Sequence, residues 1–230
     1  MNRGLKQRWQ VLVFDWDGTL MDSTAAIVRA AQAAIRELGL PERSPDSIRD
    51  IIGLGLRESW TALFPEQGST EYSSFVESYR EHFVRRERVS SSLYPGVADT
   101  LSELRTRGWR MAVATGKSRA GLDYDLQKTG LGGVFDATRT ADETRSKPDP
   151  QMLRELMAAL GSAPDATLMI GDTEYDLQMA QAAGVASLAI TWGAHSEERL
   201  SRLATAACLA DVGQIPQWLE QFEADLAQRS

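Results

Sequence analysis

Cysteine and histidine are almost missing from this 230-residue chain: Cys208 is the single thiol, and His82 and His195 are the two imidazoles. One thiol forms no internal disulfide and no paired-thiolate metal site, so a reducing interior is the expected home. Both histidines lie outside every other motif, which leaves a histidine nucleophile or a His-rich metal centre with little support. Long apolar runs are lacking too. Nothing approaches the roughly 18 consecutive apolar residues of a membrane span, and residues 1–10 carry no apolar stretch of the signal-peptide kind. A cytoplasmic protein with no membrane partner is expected. Basic charge is in short supply, with 25 Lys and Arg against 32 Asp and Glu, a net charge of −7 and a pI near 5.0. That balance argues against nucleic acid as a partner. Repeats and low-complexity tracts are absent.

What is present is an ordinary globular composition, 43% hydrophobic and 25% charged, in a chain long enough for one large domain or a domain with an insert. Its most informative segment is Val11-Leu12-Val13-Phe14 followed by Asp15-Trp16-Asp17-Gly18-Thr19. An all-apolar run opening into a Gly turn predicts a buried parallel strand with acids at its carboxyl end, where open α/β sheets bind ligands. Residues i and i+2 of a strand share a face, so Asp15 and Asp17 lean into one volume. Two like charges so close need a cation or a shared proton.

Further strands are predicted at 109–114, 134–138, 167–170 and 185–190, separated by helical stretches such as 97–107 and 177–183. Strands alternating with helices at this spacing predict an α/β fold with a doubly wound, Rossmann-like parallel sheet. Residues 21–94 break the alternation. Helices are expected at 25–38, 47–52 and 58–63 and along the apolar face Tyr72, Phe75, Val76, Tyr79 and Phe83, with no strand among them. The stretch reads as an all-helical cap (21–94) inserted into a core of 1–20 and 95–230. Ile215, Trp218, Leu219 and Phe222 predict a final helix packed on that core.

Three more strand ends carry suitable chemistry. Ala114-Thr115-Gly116-Lys117-Ser118 offers a hydroxyl and helix-start amides to phosphoryl oxygens. It is not a nucleotide phosphate loop, because Met111 occupies the position where that loop needs Gly. Lys147, in Arg145-Ser146-Lys147-Pro148-Asp149-Pro150, can neutralise charge on a nucleophile and a transferring group. Gly171-Asp172-Thr173-Glu174-Tyr175-Asp176 places Asp172 and Asp176 on one side of a helix's first turn, with helix capping by Asp172 as the structural alternative.

In this order and strand context, the four motifs resemble those of the haloacid dehalogenase-like hydrolase superfamily, from Val11 to about His195. The helical insert and Leu93-Tyr94-Pro95-Gly96-Val97 are similar to its phosphoglycolate phosphatase-like branch. The resemblance implies a Mg²⁺-dependent phosphatase acting on a small phosphorylated metabolite, phosphoglycolate at family level. By it, Asp15 is the nucleophile that forms an aspartyl-phosphate, and Asp17 is the acid and base. Thr115, Gly116 and Lys147 hold the phosphoryl group. Asp15, Asp172 and the Asp17 carbonyl ligate Mg²⁺, and Asp176 supports the metal site. Oxygen-only ligands suit Mg²⁺ over zinc. An acid at Asp17 also favours phosphoryl transfer over dehalogenation, since a departing halide needs no proton.

Phosphosugar mutase and inorganic pyrophosphatase are the enzymatic alternatives, and a non-catalytic regulatory protein is the third. One departure stands out: relatives often carry Asn where this chain has Gly116. Lys117, Arg119 and Arg57 are possible substitutes for its substrate contact, though each reads first as a solvated charge. The Gly53-Leu54-Gly55-Leu56 loop is expected either to approach the site or to be a plain interhelical turn.

Overall fold

The computed structural model describes residues 8–87 and 91–229. Strand β1 (Val11–Phe14) is buried at every position and sits at the centre of a six-stranded parallel sheet. A two-residue strand β2 (Met21–Asp22) follows, then helices α1 (Thr24–Glu37), α2 (Pro45–Arg49), α3 (Leu56–Leu63) and α4 (Ser69–His82). The chain returns through β3 (Ser92–Leu93), which pairs antiparallel with β2. This small ribbon corrects the expectation that 21–94 holds no strand. It is too short for any alternating pattern to register, and it ties together the two crossings between sheet and helical insert.

Beyond it the chain alternates as expected: α5 (Val97–Thr106), β4 (Arg110–Thr115), α6 (Arg119–Thr129), β5 (Ala137–Thr140), α7 (Gln151–Leu160), β6 (Thr167–Gly171), α8 (Glu174–Ala183), β7 (Ala186–Ile190), α9 (Glu197–Leu200), β8 (Ala207–Leu209) and α10 (Ile215–Arg229). The strand order is β5-β4-β1-β6-β7-β8. The β5 strand lies a few residues after the predicted 134–138, because Val134 and Phe135 pack against the core from the preceding loop. Edge strand β8 was not anticipated. Its three residues are all only half-buried, so it lacks the apolar run that marks the central strands.

Alternation along β1 builds both layers. Leu12 and Phe14 face one side, in a cluster with Leu101 and Leu104 of α5, Leu122 of α6 and Ile215 and Leu219 of α10. Val11 and Val13 face the other, with Leu153 and Leu156 of α7 and Met179 and Ala180 of α8. A third cluster holds the helical insert together: Ala31 and Ile35 of α1 meet Ile48 of α2, Trp60 and Leu63 of α3, and Phe75 of α4. Among the described residues no helix is long and apolar enough to cross a membrane.

The chain order reverses at β1, whose neighbours are β4 on one side and β6 on the other. Such a switch point opens a crevice beyond the strand ends, and Asp15 and Asp172 follow β1 and β6 directly. Truncating the strand beneath it tests this packing. Leu168→Ala, at a fully buried position of β6, is expected to lower unfolding free energy in urea by about 2–5 kcal/mol. A loss within the roughly 1.5 kcal/mol of a volume-conserving swap would show a looser centre than described.

Candidate active site

Four of the expected residues converge at the switch point. Asp15, Asp172 and Asp176 each offer a carboxylate oxygen, and those oxygens lie within 4.8 Å of one another. Lys147 reaches in from the loop before α7, with its side chain fully buried. Its Nζ donates to Asp176 Oδ1 at 2.6 Å and stands 2.7 Å from Asp15 Oδ1. The second contact is at ion-pair distance but lacks hydrogen-bond alignment, so neither Asp15 oxygen has a hydrogen-bond partner. Three buried carboxylates thus face one ammonium.

Each of the other carboxylates is held by its neighbours. Thr19 Oγ1 donates to Asp172 Oδ1 at 2.6 Å, and the Ala194 amide donates to Oδ2 at 2.7 Å. Asp176 accepts at Oδ2 from the Thr173 amide at 3.1 Å and from Thr173 Oγ1 at 2.7 Å. The amide bond, with a reciprocal one from the Asp176 amide to the Thr173 side chain, forms the capping box of α8, so Thr173, not Asp172, caps that helix. With one oxygen in the cap and one on Lys147, Asp176 acts as a fixed support for the ammonium.

Asp17 is separate from this cluster. Its Oδ1 accepts from Ser23 Oγ at 2.6 Å and from Lys117 Nζ at 3.0 Å, and no hydrogen bond reaches its Oδ2 among the described residues. Ser23 occupies the N-cap position of α1 but makes no capping hydrogen bond. Its hydroxyl orients Asp17 instead. Lys117 is the clearest correction to the sequence reading: it is not a solvated charge. Its side chain is 9% exposed, lies 3.1 Å from Asp125 Oδ2, and places Nζ 5.2 Å from the centre of the Phe83 ring. The other two cations are away from the site, Arg119 paired with Glu143 and Arg57 over the Tyr72 ring. Thr115 is fully buried at the end of β4, and its Oγ1 accepts from the Lys117 amide.

Gly116 has a steric explanation. A Cβ there would lie 2.6 Å from the Leu54 carbonyl oxygen and 2.7 Å from that of Gly53. The insert's Gly53–Gly55 loop therefore packs directly on the strand end, and an Asn side chain has no room. Gly53 itself has φ +103°, and a Cβ on it would meet Thr173 Oγ1 at 2.9 Å. A hydrogen bond from the Gly55 amide to Ser146 Oγ at 2.7 Å fastens the loop beside Lys147.

Electrostatics follow from burial. Burial pushes the Asp15 carboxyl well above its ordinary range; Lys147 opposes this, while Asp176 and Asp172 add to it. Asp172 is pushed up to about 7, by burial and then by Asp176. For Lys147, burial acts downward, yet Asp15 and Asp176 outweigh it and raise the ammonium above its usual value. His195 is buried and takes no part. Its Nδ1 accepts from the Glu174 amide, its Nε2–H then donates to the Asp50 carbonyl, and burial lowers its pKa.

The model matching residues 12–190 is that of the haloacid dehalogenase-like hydrolases. The chain belongs to this family. It is 36% identical over 196 residues to "Probable phosphatase IndB" of Dickeya dadantii, covering 83% of this chain and 84% of that one. It is 32% identical over 185 residues to a phosphoglycolate phosphatase of Aquifex aeolicus, covering 80% and 85%. A solved hydrolase structure from Pseudomonas syringae superposes with TM-score 0.84 at 21% identity over 92% of this chain and 98% of that one, a likeness of fold.

Asp15 and Asp172 are suited to hold a divalent cation, since hard cations take oxygen ligands and Asp15 has an ion pair with Lys147 but no aligned hydrogen bond on either oxygen. The pH dependence follows from the raised carboxyls. With a folded pKa near 7 for Asp172, against 3.8 ordinarily, the native state binds more protons between those values. The metal-free protein thus loses stability as pH rises through that window. A divalent cation binds the ionised form, so the gain in Tm on adding one is expected to be larger at pH 8 than at pH 5. An equal gain at both would show that the ion binds elsewhere.

Proposed function

We propose that this protein is a Mg²⁺-dependent phosphomonoester hydrolase that transfers the phosphoryl group of a small phosphorylated metabolite to Asp15. The observation that carries the reading is the Asp15 carboxylate, buried at the switch point, with one oxygen in an ion pair with Lys147 and neither oxygen in an aligned hydrogen bond. The phosphatase names of the relatives support it, and phosphoglycolate is the family-level substrate to test first.

A carboxylate approaching a phosphate dianion meets like charge, so the site must supply cancelling positive charge. A bound Mg²⁺, held by Asp15, Asp172 and the Asp17 main-chain carbonyl, would neutralise phosphoryl oxygens. Lys147 would add its own positive charge, while Thr115 and the Gly116 amide would take further oxygens. Asp15 then attacks phosphorus as the ester P–O bond breaks, and Asp17 gives its proton to the departing alcohol oxygen. In the second half, Asp17 removes a proton from the water that attacks the aspartyl-phosphate, releasing inorganic phosphate and restoring Asp15. With Ser23 and Lys117 both on Oδ1, Asp17 Oδ2 is the oxygen that exchanges the proton. Residues 21–94 act as a cap over a core of 1–20 and 95–230, excluding bulk water while Asp15 is phosphorylated. The lone Cys208 supports a cytoplasmic home.

Pure protein with Mg²⁺ and p-nitrophenyl phosphate is expected to release phosphate, and Asp15→Asn to abolish release. Asp17→Asn should lower kcat by about 10²–10⁴-fold, the usual scale of general acid–base catalysis. An Asp15→Asn variant that turned over like the wild type would sink the nucleophile assignment. Product isomerisation with a bisphosphate requirement would mark a mutase, and preferential cleavage of pyrophosphate a pyrophosphatase.

A further inference from the structure

A cavity of about 480 Å³ lies between the helical insert and the strand ends. Its core-side floor includes Asp15, Asp17, Thr115, Gly116 and Lys117. Its walls on the insert side are Ile51, Leu54, Leu56, Phe75, Tyr79 and Phe83, with further aliphatic residues behind them. On that side Ser59 and Arg80 are the polar lining residues apart from the Tyr79 hydroxyl. The volume lies within the roughly 300–1,000 Å³ of small-molecule pockets. At about 30 Å³ per water, it far exceeds what glycolate or a second phosphate would fill.

The cations of this lining are Lys117 and Arg80. Lys117 is already paired with Asp17 and Asp125, and Arg80 is an exposed residue near the end of α4. A carboxylate or phosphate on the leaving group would bring a second anion against isoleucine, leucine and phenylalanine. Burying an ionised group there without a dedicated partner is strongly unfavourable, whereas each methylene buried is favourable.

We propose that the cavity receives an uncharged, predominantly hydrocarbon leaving group, so that the preferred substrate is a phosphate monoester of an apolar alcohol or phenol. This rests on the phosphatase reading above and adds what lies beyond the ester oxygen. Phosphoryl transfer occurs on the floor, and the insert selects the alcohol. Ile51, Leu54 and Leu56 are specificity residues, set on the loop and helices that the Gly116 contact draws down over Asp15. The same walls disfavour pyrophosphate, whose leaving group is a bare anion, and phosphoglycolate, whose carboxylate reaches into apolar space.

The full-length protein with Mg²⁺ decides this through kcat/KM for ethyl, butyl and hexyl phosphate beside phosphoglycolate, pyrophosphate and 1-naphthyl phosphate. The alkyl esters have leaving groups of nearly equal reactivity, so their ranking reports the cavity. The expected result is a rise of about fourfold per added methylene from ethyl to hexyl, with hexyl and naphthyl phosphate ahead of phosphoglycolate and pyrophosphate. Leu56→Ser and Ile51→Ser should each shrink the hexyl-to-ethyl ratio by about fourfold or more. Turnover that is flat or falls with chain length, or that is fastest with phosphoglycolate or pyrophosphate, overturns the proposal while leaving the phosphatase reading intact. An unchanged hexyl-to-ethyl ratio in both serine variants also overturns it. Absence of phosphate release from every ester removes the phosphatase reading, and this proposal with it.

Discussion

The contact on which the site depends is the one between the Lys147 ammonium and the carboxylates of Asp15 and Asp176. All three side chains are buried, and a buried charge is tolerated only when paired and hydrogen-bonded. Asp176 is satisfied twice over, by Lys147 and by the α8 cap. Asp15 is not, since its ion pair lacks hydrogen-bond alignment. The fold therefore spends a structural carboxylate to anchor a cation, and the cation leaves a reactive carboxylate close to positive charge yet without the hydrogen bonds that would quench it. Asp172, held by Thr19 and the Ala194 amide, brings the negative charge to an excess that one ammonium cannot cancel. In the proposed function, divalent-ion affinity and nucleophilicity would both come from this imbalance.

The crossing order of the chain produces that imbalance. Because β1 lies between β4 and β6, the loops after three strands open on one crevice. Asp15 follows β1, Thr115 closes β4 and Asp172 follows β6. The loop before α7 adds Lys147 from the β5 side. Residues separated by more than 150 positions in sequence thus meet, as in the 2.6 Å hydrogen bond from Thr19 to Asp172. Alternating burial along β1 fixes its two faces against different helices, so the strand that carries Asp15 is gripped from both layers. Such a base limits the movement of Asp15.

Much of this arrangement was legible in the residues, and the exceptions share a cause. The apolar runs of β1, β4, β6 and β7 announce themselves because both faces of each strand are buried. Two-residue strands and the half-buried β8 have no such signature. Asp15, Asp172 and Asp176 were visible as motif residues at or just after strand ends, and Lys147 in its Pro-flanked loop. Ser23 and Lys117 depart from what local spacing suggests, because spacing describes neighbours along the chain, whereas their partners are tertiary. A serine before a helix is ordinarily its cap, and a lysine after a strand is ordinarily solvated. Here Asp17 draws both inward. Lys117 is drawn by Asp125 as well, which lies on the following helix and also accepts from the Trp16 indole. The signal for Lys117 was Asp125 itself, an acid on the inner side of α6 among Leu122 and Leu126.

The glycine at position 116 connects chemistry to selectivity. An Asn there would offer the substrate a polar side chain from the core. Glycine withdraws that contact and lets the Gly53 and Leu54 carbonyls occupy the space. The loop then sits on Thr173 at one end and on Ser146 at the other, beside the residues that position Asp176 and Lys147. An insert fixed so closely cannot present its apolar helices at a distance; Ile51, Leu54 and Leu56 are brought to the rim of the phosphoryl site. Removing one polar side chain from the core thus has two coupled effects. In the proposed reading it deprives a charged leaving group of a donor, and it puts the Gly53 and Leu54 carbonyl oxygens, which repel an anion, where that donor would have been. In the proposed reading, the floor handles the phosphate and the insert discriminates between alcohols.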